Sequence, residues 1–169
     1  MKMKKSSAGK SNNAQNRGGK VLRFLVANGV NLDLLGTREP EIYGSLTLEG
    51  LQRHVEASWS ELARALDLPE AELHFFQSNH EGVFLEALDA GWDGIILNPG
   101  AWTHTSLALV DRIRAIDVPC VEVHLSNIYA REPIRQKSLI AGEVSGVISG
   151  FGADGYVAAL LVLAARFKV

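Results

Sequence analysis

Apolar and polar positions follow two rhythms along this chain. Short strand-like runs fall at residues 21–27, 72–77, 94–97, 120–125 and 144–149, each bounded by turn residues. Between them apolar residues recur at helical spacing, over 48–66, 82–90, 105–116 and 155–167. Thr47 is placed to cap the first of these helices, and Gly91 to stop the second. Strands that alternate with helices predict a parallel sheet covered on both faces, because each crossover lays a helix on one face. Right-handed crossovers then favour an α/β, doubly wound, flavodoxin-like three-layer sandwich: five parallel strands in the order 2-1-3-4-5. No internal repeat or inter-domain linker breaks the pattern, so residues 21–169 are expected to form one domain.

This architecture predicts where a ligand binds. In open parallel sheets the site lies beyond the carboxyl ends of the strands, where the strand order reverses. Here that point falls between the first and third strands. The connection leaving the first strand holds residues 28–44. It takes roughly eighteen residues to reach the next helix, where about two to six are usual. Leu32, Leu34, Leu35 and Ile42 give it apolar anchors, so a functional lid is the favoured reading.

Composition changes the picture little: 47% apolar and 21% charged residues are those of an ordinary globular protein. No apolar run is long enough to span a membrane. The single cysteine, Cys120, offers no disulfide framework, and a reducing cytoplasm is expected. The charge is uneven. Six of the seventeen basic side chains lie in residues 1–20 with no acid, leaving eleven against nineteen acids in the rest. That basic, Ser/Asn/Gly-rich tail is expected to be disordered and lacks the apolar stretch of a signal peptide. A nucleic-acid-binding arm is the less favoured reading beside a plain extension, since an acidic body repels nucleic acid. An anionic ligand would need a few local arginines.

Candidate chemistry converges on the predicted rim. Glu122 and His124 are two apart on one strand, so they share a face while Val121, Val123 and Leu125 fill the other. The pair reads either as a carboxylate orienting an imidazole or as a satisfied polar pair at a strand end. Tyr43 is either a packing residue or a base. A phenol with pKa about 10 is ionised in roughly one molecule in a thousand at pH 7, so using the anion costs about 4 kcal/mol. A guanidinium alongside lowers that pKa by about one to three, and Arg38 stands five residues away. Arg38 could equally pair with Glu39 or Glu41. Asn31 and Asn98 offer uncharged amides, or simply close turns. His104 sits at an expected helix start with exposed backbone donors. Ser126 and Asn127 follow the fourth strand, which Leu125 ends, and Arg135 lies in the next loop. Asp111 falls on the helix after His104, where an exposed face is the plain reading.

Other readings fare less well. The run Gly150 to Gly155 matches a dinucleotide-binding fingerprint, but the chain ends before a second strand and a ribose-binding acid could follow. The five histidines show no metal-ligand spacing. A phospho-receiver wants acids where Asn28 and Asn98 stand, and a flavin module wants a Ser/Thr-rich loop where residues 29–37 lie. Only Lys137 and Lys168 remain in the body for a Schiff base, and neither sits where a depressed pKa is expected.

Taken together, these motifs resemble the type II 3-dehydroquinate dehydratases. The resemblance rests on residues 28–44, with Asn28-Gly, Asn31-Leu32, Leu35-Gly36, Arg38-Glu-Pro40 and Tyr43-Gly44. It extends through Gln77-Ser-Asn79, Glu81-Gly82, Asn98-Pro99, Thr103-His-Thr-Ser106, Glu122-Val-His-Leu-Ser-Asn127, Arg131-Glu132, and Gly146 to Tyr156. It implies a flavodoxin-like fold and reversible dehydration of 3-dehydroquinate to 3-dehydroshikimate through an enolate, in aromatic biosynthesis or quinate breakdown. Tyr43, activated by Arg38, would be the base, Asn31 would hold a water on the enolate, and His124, oriented by Glu122, would be the acid. Asn98, His104, Leu125, Ser126 and Arg135 would hold substrate. Asp111 would reach a neighbouring subunit within trimers that build a dodecamer. No metal or organic cofactor is implied. Val30, Asp33, Trp102 and Ile134 depart from the usual pattern, and none removes a group that this chemistry needs.

Overall fold

The computed structural model describes residues 20–37, 46–89 and 91–168. Residues 1–19 of the expected basic tail, Arg38 and Tyr43 lie outside them; Lys20, the last residue of that tail, is described and pairs with Asp93. Five strands, β1 (Leu22–Asn28), β2 (Ala71–Gln77), β3 (Gly94–Asn98), β4 (Cys120–His124) and β5 (Gly146–Ser149), form one parallel sheet in the expected order 2-1-3-4-5. The helices are α1 (Leu48–Ala65), α2 (Glu81–Ala87), α3 (Leu107–Ala115) and α4 (Asp154–Ala165). No described helix is long and apolar enough to cross a membrane.

Burial explains the apolar runs. β3 and β4 are buried at every position and β1 at all but Arg23, whereas the edge strands β2 and β5 are half-buried at most positions. Alternation splits the core in two. Phe24, Val26, Ile96, Val121 and Val123 face α1 and α4, meeting Val55, Trp59 and Leu160. Leu25, Ala27, Ile95, Leu97 and Cys120 face α2 and α3, meeting Phe84, Leu109 and Ile113. α4 is buried almost all round, which is why its sequence carries so few polar residues.

Two element boundaries move for identifiable reasons. Thr47 caps α1 as expected, its side chain accepting from Gly50 N at 3.0 Å. The third helix starts at Leu107 rather than at 105. A 3₁₀ turn over Gly100–His104 comes first, the carbonyl of Trp102 accepts from the backbone N–H groups of Thr105 and Ser106, and the Ser106 hydroxyl accepts from Leu109 N at 2.9 Å. His104 therefore ends a 3₁₀ turn and is not the start of a helix. The fifth strand starts at Gly146 because the Val144 N–H is spent on Ile140 O. Gly150 and Gly152, at φ 94° and 56°, turn β5 back so that their N–H groups donate to His124 O and Leu125 O. The fingerprint-like run is thus a tight turn docked on the end of β4.

At the reversal of strand order the ends of β1 and β3 are joined from below. Asn28 pairs with Asn98 in register. The Tyr156 hydroxyl, fully buried on α4, donates to Asn28 Oδ1 at 2.8 Å and accepts from Asn98 Nδ2 at 2.7 Å. Burial raises the phenol's pKa well above its ordinary value, although the Asn98 bond opposes the shift, so it acts here as a neutral donor and acceptor. Tyr156→Phe leaves two buried amides each short of a partner. It is expected to cost about 1–3 kcal/mol, read as a lower urea midpoint at unchanged m-value.

Candidate active site

Three chain segments meet above the carboxyl ends of β1, β3 and β4. The first leaves β1 through Gly29, whose position admits no side chain: a Cβ there would lie 2.4 Å from Pro99 O. Gly100, at φ 62°, is under the same constraint, since its Cβ would lie 2.7 Å from Val30 O. The two loops are thus packed backbone to backbone. Asn31 then adopts φ 65°, a left-handed conformation that asparagine tolerates better than most residues. A 3₁₀ turn over Leu32–Leu34 follows, with Leu32 and Leu35 buried in the core.

The cavity bordered by these segments is about 760 Å³ including its open mouth. Val30, Asn31, Leu32, Leu34 and Leu35 line it from the β1 side, and Asn98, Gly100, Ala101 and His104 from the β3 side. His124, Leu125, Ser126, Ile128, Arg131 and Arg135 complete it from β4.

His124 forms part of the wall and Glu122 lies beneath it with no exposure. His124 Nε2 is 2.7 Å from Glu122 Oε1. A carboxylate accepts, so Nε2 carries the proton and Nδ1 is the other ring nitrogen. Glu122 has two further donors. The Thr103 hydroxyl donates to Oε1, and the Ser138 hydroxyl reaches Oε2 at 2.9 Å and Oε1 at 3.0 Å. The Ser138 oxygen is itself aimed by the backbone N–H groups of Ile140 and Ala141, at 3.2 and 3.0 Å. A buried carboxylate is tolerable only when so many partners replace water. The His104 ring lies nearly parallel to that of His124, with centroids 6.4 Å apart, and its Nδ1 is 2.8 Å from Lys137 O. Nδ1 therefore donates, which leaves Nε2 as the other nitrogen.

Part of the wall is cationic. Arg135 Nε is 2.6 Å from Glu132 Oε1, and Arg131 Nε is 3.6 Å from Glu132 Oε2. Its own backbone N–H and the Arg135 hydrogen bond hold the Glu132 carboxyl below the ordinary carboxylate range, against a small opposing effect of desolvation. Two guanidiniums, a polarisable imidazole pair and asparagine amides around one cavity suit a small anionic, hydroxylated ligand.

The Dehydroquinase class II family model matches residues 22–164, almost all of the described chain. This chain belongs to the class II dehydroquinase family. A 3-dehydroquinate dehydratase of Pelodictyon phaeoclathratiforme is 50% identical over 141 residues, covering 80% of this chain and 87% of that protein. One from Endomicrobium trichonymphae is 48% identical over 141 residues, covering 82% and 94%. The crystal structure of the type II dehydroquinase from Propionibacterium acnes superposes with a TM-score of 0.76 at 36% identity, covering 85% of this chain and 97% of that one.

Within this dehydroquinase the structure gathers Asn31, Asn98, His104, His124, Leu125, Ser126 and Arg135 around one cavity, with Glu122 below. The Asn98 side chain is partly committed elsewhere, since its Oδ1 also accepts from Gly100 N at 3.2 Å. Asp111 does not line the cavity; it is exposed on α3, 4.0 Å from Arg114. Cys120 is buried in the core, where desolvation pushes its thiol up to about 12 and makes it inert. Sequence reasoning missed Arg131, although it had singled out the Arg131-Glu132 pair, and missed Thr103 and Ser138 as partners of Glu122. Ser138→Ala leaves a buried carboxylate short of a donor. It is expected to destabilise the dehydroquinase by about 1.5–3 kcal/mol in urea titration. It should also lower kcat by about tenfold or more, part of the ~10²–10⁴ that a positioned acid contributes, while Ser138→Thr retains most of both.

Proposed function

We propose that this enzyme, a hydro-lyase, dehydrates 3-dehydroquinate reversibly to 3-dehydroshikimate through an enolate. The observation that carries the reading is the His124–Glu122 pair, an imidazole whose Nε2 is fixed by a fully buried carboxylate while the ring faces an anion-suited cavity. Tyr43, as phenolate, removes the proton at C2. The C2–H electrons move onto the oxygen of the adjoining C3 ketone, where a water held by Asn31 stabilises them. The enolate then collapses, the C1–O bond breaks, and a doubly protonated His124 gives its Nδ1 proton to the departing hydroxyl while the Nε2 proton stays in its hydrogen bond to Glu122, so water leaves and a conjugated enone remains.

Arg38 and Tyr43 lie outside the described residues. Their roles are supported by the family's shared motif and by position: Val30, Asn31, Leu32, Leu34 and Leu35, which open the same connection, line the cavity. Arg38 lowers the energetic cost of the phenolate through its fixed positive charge. Arg135, with His104, Asn98, Leu125 and Ser126, holds the substrate carboxylate and hydroxyls. The reaction uses no metal or organic cofactor. We extend the proposal to assembly and location. Asp111, exposed on α3, reaches a neighbouring subunit's site within trimers that build a dodecamer in the cytoplasm.

Adding 3-dehydroquinate to the purified enzyme is expected to raise ultraviolet absorbance as the enone forms; no rise would refute the reading. Tyr43→Phe should abolish turnover while leaving substrate binding largely intact, measured by calorimetry beside the absorbance assay. Arg38→Ala should move the rise of activity to higher pH, because the phenol then ionises without its guanidinium. An unchanged pH–rate profile would separate the two residues. Borohydride with substrate should leave activity intact, and a covalent adduct on a lysine would point to a Schiff-base route instead.

A further inference from the structure

The first turn of the lid is held by a side chain to which the mechanism above gives no role. Asn79 follows β2, with β1 and β3 between it and His124 of β4. Its Oδ1 accepts from Asn31 N at 2.7 Å and from Gln77 Nε2 at 3.1 Å, and its Nδ2 donates to Asp33 Oδ2 at 3.0 Å. Gln77 Nε2 also donates to Gly29 O at 3.2 Å. The orientation of the Asn79 amide is therefore determined by its partners, since flipping it would set donor against donor at Asn31 and acceptor against acceptor at Asp33. One amide thus ties together the residue in left-handed conformation and the residue two further on.

We propose that Asn79 is a positioning residue that sets the direction of Asn31 in the cavity, by clasping its backbone in the left-handed conformation and anchoring that turn through Asp33. This rests on the reading in which Asn31 orients a water on the enolate. A left-handed asparagine persists only where its surroundings over-determine it. Asn31 lacks a side-chain capping bond of its own. The clasp supplies the constraint from an element that the chemistry does not otherwise involve. Asp33 gives it a polarity that can be reversed, because the Nδ2 donor faces a carboxylate.

The test is a swap of donor and acceptor. N79D keeps an oxygen for Asn31 N and Gln77 but sets a second carboxylate against Asp33. D33N alone keeps the contact, with an amide oxygen in place of the carboxylate. D33N/N79D restores it with the roles exchanged. Two readouts are followed in each variant: hydrogen exchange of the Asn31 amide and the steady-state dehydratase assay. N79D is expected to speed Asn31 exchange and lower kcat/KM by about 30-fold, with most of the loss in kcat, and the double variant to return both to within about threefold of the parent. D33N alone should stay within about threefold. Unchanged Asn31 exchange in N79D, or a double variant no better than N79D, overturns the clasp. Rescue of exchange without rescue of kcat overturns its catalytic consequence while leaving the dehydratase reading intact. A parent enzyme with no turnover would instead overturn that underlying reading.

Discussion

The site depends on a carboxylate kept out of water. Glu122 is in β4, flanked by β3 and β5, with no exposure. Hydrophobic burial drives the strand inward, and an isolated charge would oppose that by several kcal/mol. The conflict is resolved by a shell that exists only in the folded chain: His124 from the same strand, Thr103 from the turn after β3, and Ser138 from the loop before β5. Each donor is aimed by a second contact of its own or by the geometry of its strand. The imidazole is therefore held in one orientation at the cavity wall as a consequence of satisfying the carboxylate. Orientation of the imidazole and tolerance of the buried charge are one constraint.

A second constraint fixes the cavity that this imidazole lines. β1 and β3 are neighbours, yet the chain leaves them in opposite directions along the sheet, and this opens a crevice at their ends. The crevice stays narrow at its base because Gly29 and Gly100 let two backbones touch where a Cβ would collide. Tyr156 seals it from the opposite face by pairing with both Asn28 and Asn98. The connection after β1 therefore starts where two backbones touch, and the left-handed Asn31 follows two residues after Gly29.

Much of this was legible in the sequence because it is local. Continuous apolar runs mark strands buried on both faces, and handed crossovers leave few orders for five of them. The spacing of Glu122 and His124 puts them on one face whatever surrounds the strand. What escaped reading is non-local or competes with a stronger local pattern. Ser138 lies in a loop without periodicity, sixteen residues from Glu122, and no spacing rule connects them. Thr103 and Ser106 both looked like helix-start residues, and only the 3₁₀ turn before them decides that Ser106 caps and Thr103 points inward. Tyr156 reads as one more apolar residue of α4, since the role of its hydroxyl depends on the ends of two strands over fifty residues away. Asn79 sits in a short turn where asparagine needs no special explanation.

The charge pattern shows how local geometry outweighs composition. Acids exceed bases in the body of the chain, which predicts weak repulsion of an anionic ligand. At physiological ionic strength exposed charges are largely screened beyond about 8 Å, so most of those acids contribute little inside the crevice. Arg131 and Arg135 line it directly. Glu132 lies between them and faces both through their Nε atoms, partly offsetting their charge. Its carboxylate holds two long side chains at the rim, which reduces the rotamer entropy that binding would otherwise have to remove. A pair anchored in this way attracts a carboxylate less strongly than two unconstrained arginines would, but presents it with a fixed direction. For an enzyme that must hold its substrate in one orientation, a fixed direction is the more useful property.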